Sequence, residues 1–386
     1  MYRSTLIAIL LGLSLSTPQD LSSSVDSLKS EIEKNPGSPE LHFSLANCYY
    51  GLGEYTNAIQ EFQRALDLKP DCFSARFKLA LCYYHVDSID VARIELERVR
   101  DIQPANKHPY LWLGDVYGLL GLYDEMLTSF KEYRRLAGKD FFHGHSTRDY
   151  FDVEDLIAKS YAMQGQSDSA IEYYRSAIDD YWGPYHYDIM LAVIYAREGE
   201  SSKAEKWLAK GMEHLKRYYH YRGGNEIRDF GMALLRTKAI WLWLLGYFDR
   251  SVALLDSLGL ITELDTVDIY NKCVFKISAG DANGVEDLKQ AAAHLGRFSI
   301  LFDVLMLLRA DSLSEAMSVL NADKEYLNKS GLGRGLYAYI LEELGYKSQA
   351  VKWWYRSYGN LPLGADVESM RHFMKAFVAT ARRIRQ

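Results

Sequence analysis

The sequence predicts an all-α chain built as an array of two-helix repeats, and three observations carry that reading. Over residues 39–72, Leu45, Ala46, Tyr49, Gly53, Ala58, Phe62, Ala65 and Pro70 stand in one frame. The frame returns 34 residues on at Leu79, Ala80, Tyr83, Ala92, Leu96 and Pro104, and again at Leu113, Gly114, Tyr117, Gly121 and Phe130. Within it the apolar spacing is helical: Leu45, Ala46 and Tyr49 make one face of a first helix, and Ala58, Phe62 and Ala65 make the facing stripe of a second. Finally, the 386 residues contain no Gly/Ser/Pro-rich linker, and 48% hydrophobic against 25% charged residues is the balance of a folded body with a continuous core.

Each part of the frame has a physical role. Ala46 and Ala58 are small and let the two helices approach, Gly53 supplies the turn between them, and Pro70 ends the unit because it cannot continue the second helix. With the small residue of the first helix as a ruler, Ala46, Ala80 and Gly114 are 34 apart, as are Ala158 and Ala192, Ala239 and Cys273, and Val304 and Ala338. Nine units are phased in this way. Those on Cys273 and Val304 are degenerate, and the last is clear, with Gly345, Ala350, Trp354 and Pro362 in frame. Spacing lengthens from Gly114 to Ala158 and from Ala192 to Ala239, so insertions are expected between units.

The expected organisation is therefore regular units 1–3 over 39–136, an aromatic and histidine-rich insertion at 137–150, units 4–5 over 151–212, a second insertion at 213–231, and divergent units 6–9 over 232–363. A lead-in at 17–38 holds a lone helix at about residues 25–34. Over 364–386, Val367, Met370, Phe373, Met374, Phe377 and Val378 form a helical apolar stripe among Arg371, Lys375, Arg382, Arg383 and Arg385. Its place after the last unit predicts a capping helix that hides the end of the array; a membrane-surface or partner-binding helix is the alternative. Gly331-Leu332-Gly333-Arg334-Gly335 reads as a turn.

Residues 1–16 have the anatomy of a secretory signal peptide: Arg3, an apolar run over 6–15, and the small residues Ser14-Leu15-Ser16 before Thr17. Ten apolar residues span about 15 Å as a helix, too short to cross a bilayer. The stretches 239–248 and 298–308 are likewise too short and read as core helices, so no transmembrane span is expected in the mature chain. The protein is expected to be exported, periplasmic or secreted. The four cysteines, Cys48, Cys72, Cys82 and Cys273, are too few for a disulfide framework and are expected as buried free thiols. A net charge of −6 offers no basic field for nucleic acid.

The framed residues resemble the tetratricopeptide repeat signature, a helix-turn-helix unit, over roughly residues 24–362. The resemblance implies a right-handed α-solenoid of about nine such units with capping helices, whose first helices line a concave groove that holds an extended peptide or a partner helix. Carried onto this chain, the groove positions are Phe43, Asn47 and Tyr50 in the first unit, Phe77, Leu81 and Tyr84 in the second, and His108, Leu111 and Asp115 in the third. The rings make a ladder suited to apolar anchors, with Asn47 placed to hold a peptide backbone; the alternative is that they simply pack between neighbouring helices. The family's clamp for a terminal carboxylate needs Lys and Asn in the first unit, Asn in the second, and Lys and Arg in the third. Those places hold Phe43 and Asn47, Lys78, and His108 and Trp112, so only Asn47 matches and the charged fork is missing.

Three segments at unit junctions have unusual chemistry, around Phe142, Trp182 and Tyr219. His143 and His145, followed by Asp149 and Asp152, have the ligand types of a metal site without a recognised spacing. Together with Trp182, His186, His220 and Tyr221 they are the candidates for an alternative loop site for a glycan or a metal; the other reading is that these aromatic and histidine residues staple the long loops against the solenoid. No nucleotide-binding Gly-Lys loop, nucleophile elbow or His-Glu-x-x-His helix is present. The expectation is an interaction scaffold for a protein or peptide partner, not an enzyme, and binding needs no cofactor.

Overall fold

A computed structural model describes residues 18–138, 147–179, 186–221, 227–260, 264, 266–294, 299–358 and 367–383. The expected export segment, the stretch 139–146 of the first insertion with His143 and His145, and Trp182 lie outside them, while the end of that insertion, from Thr147, already belongs to a helix. Among the described residues there are 21 α-helices and no strand. No helix there is long and apolar enough to cross a membrane.

After a lead-in helix α1 (Pro18–Lys34), nine helix pairs follow in chain order: α2 (Pro39–Gly51) with α3 (Tyr55–Leu68), α4 (Phe73–His85) with α5 (Ile89–Ile102), and α6 (His108–Leu120) with α7 (Tyr123–Ala137). Next come α8 (Thr147–Met163) with α9 (Ser167–Asp179), α10 (His186–Arg197) with α11 (Ser201–Tyr221), and α12 (Ile227–Leu244) with α13 (Phe248–Gly259). The last are α14 (Thr266–Ala279) with α15 (Asn283–His294), α16 (Ser299–Arg309) with α17 (Leu313–Ala322), a short α18 (Lys324–Lys329), and α19 (Gly331–Glu343) with α20 (Lys347–Tyr358), before a final α21 (Val367–Arg383). The lead-in helix already includes Pro18, the first described residue, and so reaches further toward the N-terminus than the expected residue 25.

The reason for nine pairs is a backbone device repeated in register. Seven residues after each ruler residue stands a residue in the left-handed region: Gly53, Gly121, Gly165, Gly199, Gly246, Gly280 and Gly345, with Asp87 and Asp311 in the second and eighth units. At Gly53 (φ +78°) the amide donates to Tyr50 O at 3.1 Å, and Glu54 N–H donates to Tyr49 O at 2.9 Å. This pairing ties off the last carbonyls of the first helix and reverses the chain. The degenerate units on Cys273 and Val304 carry the same turn, at Gly280 and Asp311. Twelve residues after the ruler a buried residue opens the second helix, alanine at 58, 92, 170, 204, 316 and 350, with Met126, Ser251 and Val285 in the other units.

The chain forms two compact units, residues 1–117 with 128–138, and 118–127 with 139–386. In the first, a polar side chain four residues before each ruler, buried at His42 and half-buried at Arg76 and Tyr110, ties down the preceding proline turn. His42 Nδ1 lies 2.7 Å from Glu61 Oε2 and its Nε2 lies 3.2 Å from Pro36 O. Arg76 pairs with Glu95 at 2.9 Å and donates to Pro70 O at 3.0 Å, and the Tyr110 hydroxyl donates to Pro104 O at 3.1 Å.

In the second unit three expectations change. The insertion expected from residue 213 is helical as far as Tyr221, because Leu208 and Leu215 continue the buried stripe and His214 Nδ1 sits 2.6 Å from the buried Asp188. The glycines of 331–335 open α19 rather than forming a turn: Ser330 Oγ caps the helix by accepting from Gly333 N–H at 2.9 Å. They are small because of what packs on them, since a Cβ at Gly333 would lie 2.6 Å from the Tyr326 ring. Lastly, α21 is more than an end cap. It packs on α20 and also on the first helices α14, α16 and α19, because its buried stripe of Met374, Phe377, Val378 and Ala381 is long enough to cross several units.

All four cysteines are free thiols, but only Cys82 and Cys273 are buried; Cys48 and Cys72 are half-buried. Burial pushes the Cys82 thiol up to about 12 and the Cys273 thiol up to about 11, which keeps both protonated.

Candidate functional site

The candidate site is the first-helix face of the first three pairs, from Phe43 to Asp115, and these residues all belong to the first compact unit. Because α2, α4 and α6 start in the same phase, Phe43, Phe77 and Leu111 stand three residues before their rulers. Asn47, Leu81 and Asp115 stand one after, and Tyr50 and Tyr84 four after. On a helix these offsets fall on one side.

Phe43, Phe77, Tyr84, Asn47, His108 and Leu111 are half-buried and present that face to solvent. The Phe43 ring packs tilted at 59° against Phe62 of α3 with ring centres 5.8 Å apart, and Phe77 stacks on Phe73 at 6.1 Å. Tyr50, Leu81 and Asp115 are buried, and Tyr50 and Leu81 belong to the core between the pairs. Leu81 supports the groove instead of lining it: at 3% exposure it has no surface to offer a partner.

The polar groups are fixed by contacts between consecutive first helices. Lys78 Nζ donates to Asn47 Oδ1 and lies 5.6 Å from the Phe43 ring centre. That bond orients the Asn47 amide and leaves its NH2 group for a partner's carbonyl. Lys78 is buried and, among the described residues, has no carboxylate within ion-pair distance; desolvation lowers its ammonium to about 8. One unit on, the Tyr84 hydroxyl donates to Asp115 Oδ2 at 2.7 Å and its ring meets Trp112 edge-on at 5.3 Å. Burial lowers His108, with Lys107 beside it adding to the effect, and burial lowers His85, which stacks on Tyr55 at 4.4 Å.

The face thus offers a line of aromatic rings with a buried cation toward one end and a buried carboxylate toward the other. Lys78 and Trp112 complete it, and neither was among the expected groove residues. Their signal was present, since 78 and 112 are 34 apart on the same helix face. Of the alternative loop residues, His143, His145 and Trp182 lie outside the described residues. His186, His220 and Tyr221 fall at the ends of α10 and α11, with side chains outside those described.

Family profiles for the tetratricopeptide repeat match residues 39–72, the first pair, and residues 152–181, the fourth. Among solved structures the chain is similar to MamA, at 17% identity over 43% of this chain and 95% of that one, with a TM-score of 0.37. It is also similar to YrrB, described as a TPR protein with an unusual peptide-binding site, at 17% identity over 49% and 93% with a TM-score of 0.41. A third is the C-terminal part of a TPR repeat-containing protein from Cytophaga hutchinsonii, at 12% identity over 65% and 94% with a TM-score of 0.47. No curated protein matches the chain.

Proposed function

The chain is a tetratricopeptide-repeat protein, and we propose that it is an interaction scaffold whose first three repeats hold an extended peptide or a partner helix against α2, α4 and α6. The observation that carries this reading is the set of half-exposed rings Phe43, Phe77 and Tyr84, in register on consecutive first helices and held by Phe62, Phe73 and Trp112. Rings with few rotatable bonds on a rigid support lose little entropy when a partner covers them. Asn47 supplies an amide for the partner's backbone, while Lys78 and Asp115 set the direction in which a dipolar segment lies. On the strength of Arg3, the apolar run over 6–15 and the small residues after it, the same proposal puts the scaffold outside the cytoplasm, periplasmic or secreted.

The test is a crosslinking capture from the envelope fraction with the mature chain and with a Phe43→Ala, Phe77→Ala, Tyr84→Ala variant of matching circular dichroism. A protein held by the first and lost from the second is the expected result. Identical capture by both would remove the first-helix face as the binding site.

A further inference from the structure

We infer that the first-helix face of units six to nine is a second groove, specific for an amphipathic helix with a basic flank, and that α21 is its tethered occupant. The anchors are Met374, Phe377, Val378 and Ala381, spaced i, i+3, i+4 and i+7 and each 2% exposed or less. This is the spacing by which a helix lays one face into an apolar groove.

The receiving surface is built from the same register positions that form the face in units one and two. Trp243, Leu308 and Glu342 stand four residues after their rulers, as Tyr50 and Tyr84 do, and Gly335 stands three before, as Phe43 and Phe77 do. The Phe373 ring meets Trp243 edge-on at 4.4 Å, and Trp243 stacks on Phe275 at 5.4 Å. At Gly335 a Cβ would stand 3.0 Å from the Met374 methyl, so this first helix is hollowed where the guest's thioether lies.

Charge sets the guest's polarity and register. Glu342 accepts from Arg371 Nε at 3.1 Å, Lys375 Nζ at 2.9 Å and Trp354 Nε1 at 2.9 Å. At the other end Arg382 Nε donates to Leu308 O at 3.0 Å and Nη2 pairs with Asp311 at 2.9 Å. Each host helix also packs on its own second helix, α12 on α13, α14 on α15, α16 on α17 and α19 on α20. The groove therefore has support apart from its guest. Residues 359–366 join α20 to α21, and so short a connection holds the guest at a high effective concentration that an untethered helix must overcome.

The test uses the full chain with a protease site placed within 359–366, cleaved after folding, and a fluorescent peptide of residues 364–386 as the probe. Exchange of the probe into the cleaved protein is expected, with much weaker uptake by the uncleaved chain. Glu342→Gln should weaken the probe about tenfold, because it removes a charge-assisted acceptor shared by two cations. A competitor peptide carrying Arg371→Glu and Lys375→Glu should fail to displace it. Loss of helicity on cleavage, or no exchange over days, would make α21 a fixed part of the core and overturn the inference. Equal probe uptake by cleaved and uncleaved chains would overturn it too, by placing the peptide elsewhere. None of these outcomes depends on the face formed by α2, α4 and α6.

Discussion

Two stretches of this array use one helix face in opposite ways. In the first two pairs the positions three before and four after the ruler are aromatic, Phe43, Tyr50, Phe77 and Tyr84, and three of the four rings remain partly exposed. In the last four pairs those positions include Trp243, Leu308, Gly335 and Glu342, and the chain's own α21 lies on them. The repeat register thus says where a guest lies, while side-chain size and charge say which guest. A ring fills its own space and offers an anchor, whereas a glycine or a carboxylate asks for something to fill or neutralise it.

The largest expected effect is on the covered face. Phe377→Ala, at a residue 1% exposed, should cost about 3–5 kcal/mol by denaturant unfolding. Amides of α14, α16 and α19 should exchange faster while those of α2 to α5 are unchanged. Equal acceleration in both regions would mean that the two faces are not independent.

The next effect belongs to the exposed face. Lys78 is a buried ammonium held at about 8, below the ordinary 10.5, so between those values the unfolded chain binds more protons than the folded one. Stability from this group therefore rises with pH through that window, and the full penalty applies below it. Lys78→Met should stabilise the chain by about 2 kcal/mol at neutral pH, and the advantage should shrink as pH rises past 8 toward 10.5. Denaturant unfolding at several pH values reads it; a pH-independent difference would deny the desolvated cation.

Smaller effects test the turn that both regions share. Gly53→Ala should cost about 1 kcal/mol, since its left-handed backbone disfavours a Cβ although no atom lies within 4 Å of one. Asp87→Gly should return a few tenths of a kcal/mol by thermal unfolding, since it places glycine at the same turn. Phe77→Ala should cost no more than about 1 kcal/mol, because that ring is only half-buried. Its expected consequence is the loss of captured partner in crosslinking, and a large stability loss without loss of partner would return Phe77 to the core.

Much of this was legible. The repeat register located all nine pairs, including those on Cys273 and Val304, because the left-handed turn seven residues after the ruler recurs even where the aromatic positions have drifted and where the second helix opens on Val285 instead of alanine. The half-exposed rings of the first two pairs were legible for the same reason. Lys78 and Trp112 are mismatches to a carboxylate clamp, and their part in the face follows from a different feature, the helix side they share 34 residues apart. The glycines at 333 and 335 read as a turn because glycine has two uses, and a close neighbour such as Tyr326 or Met374 is invisible in a linear chain.

The features legible in the linear chain are local and periodic: the repeat register, the turn at Gly53, the pairing of each first helix with its second, and the stripe that includes Met374, Phe377 and Val378. These follow from spacing, because helical period and backbone handedness act over a few residues. Only the tertiary structure decided where that stripe lies. An apolar stripe fits the end of an array or its inner face equally well, and the choice falls to partners distant in the chain. Asp311 meets Arg382 across 71 residues and Glu342 meets Lys375 across 33. Such pairings arise only once the intervening helices have folded, since charge and shape select a site by proximity in space.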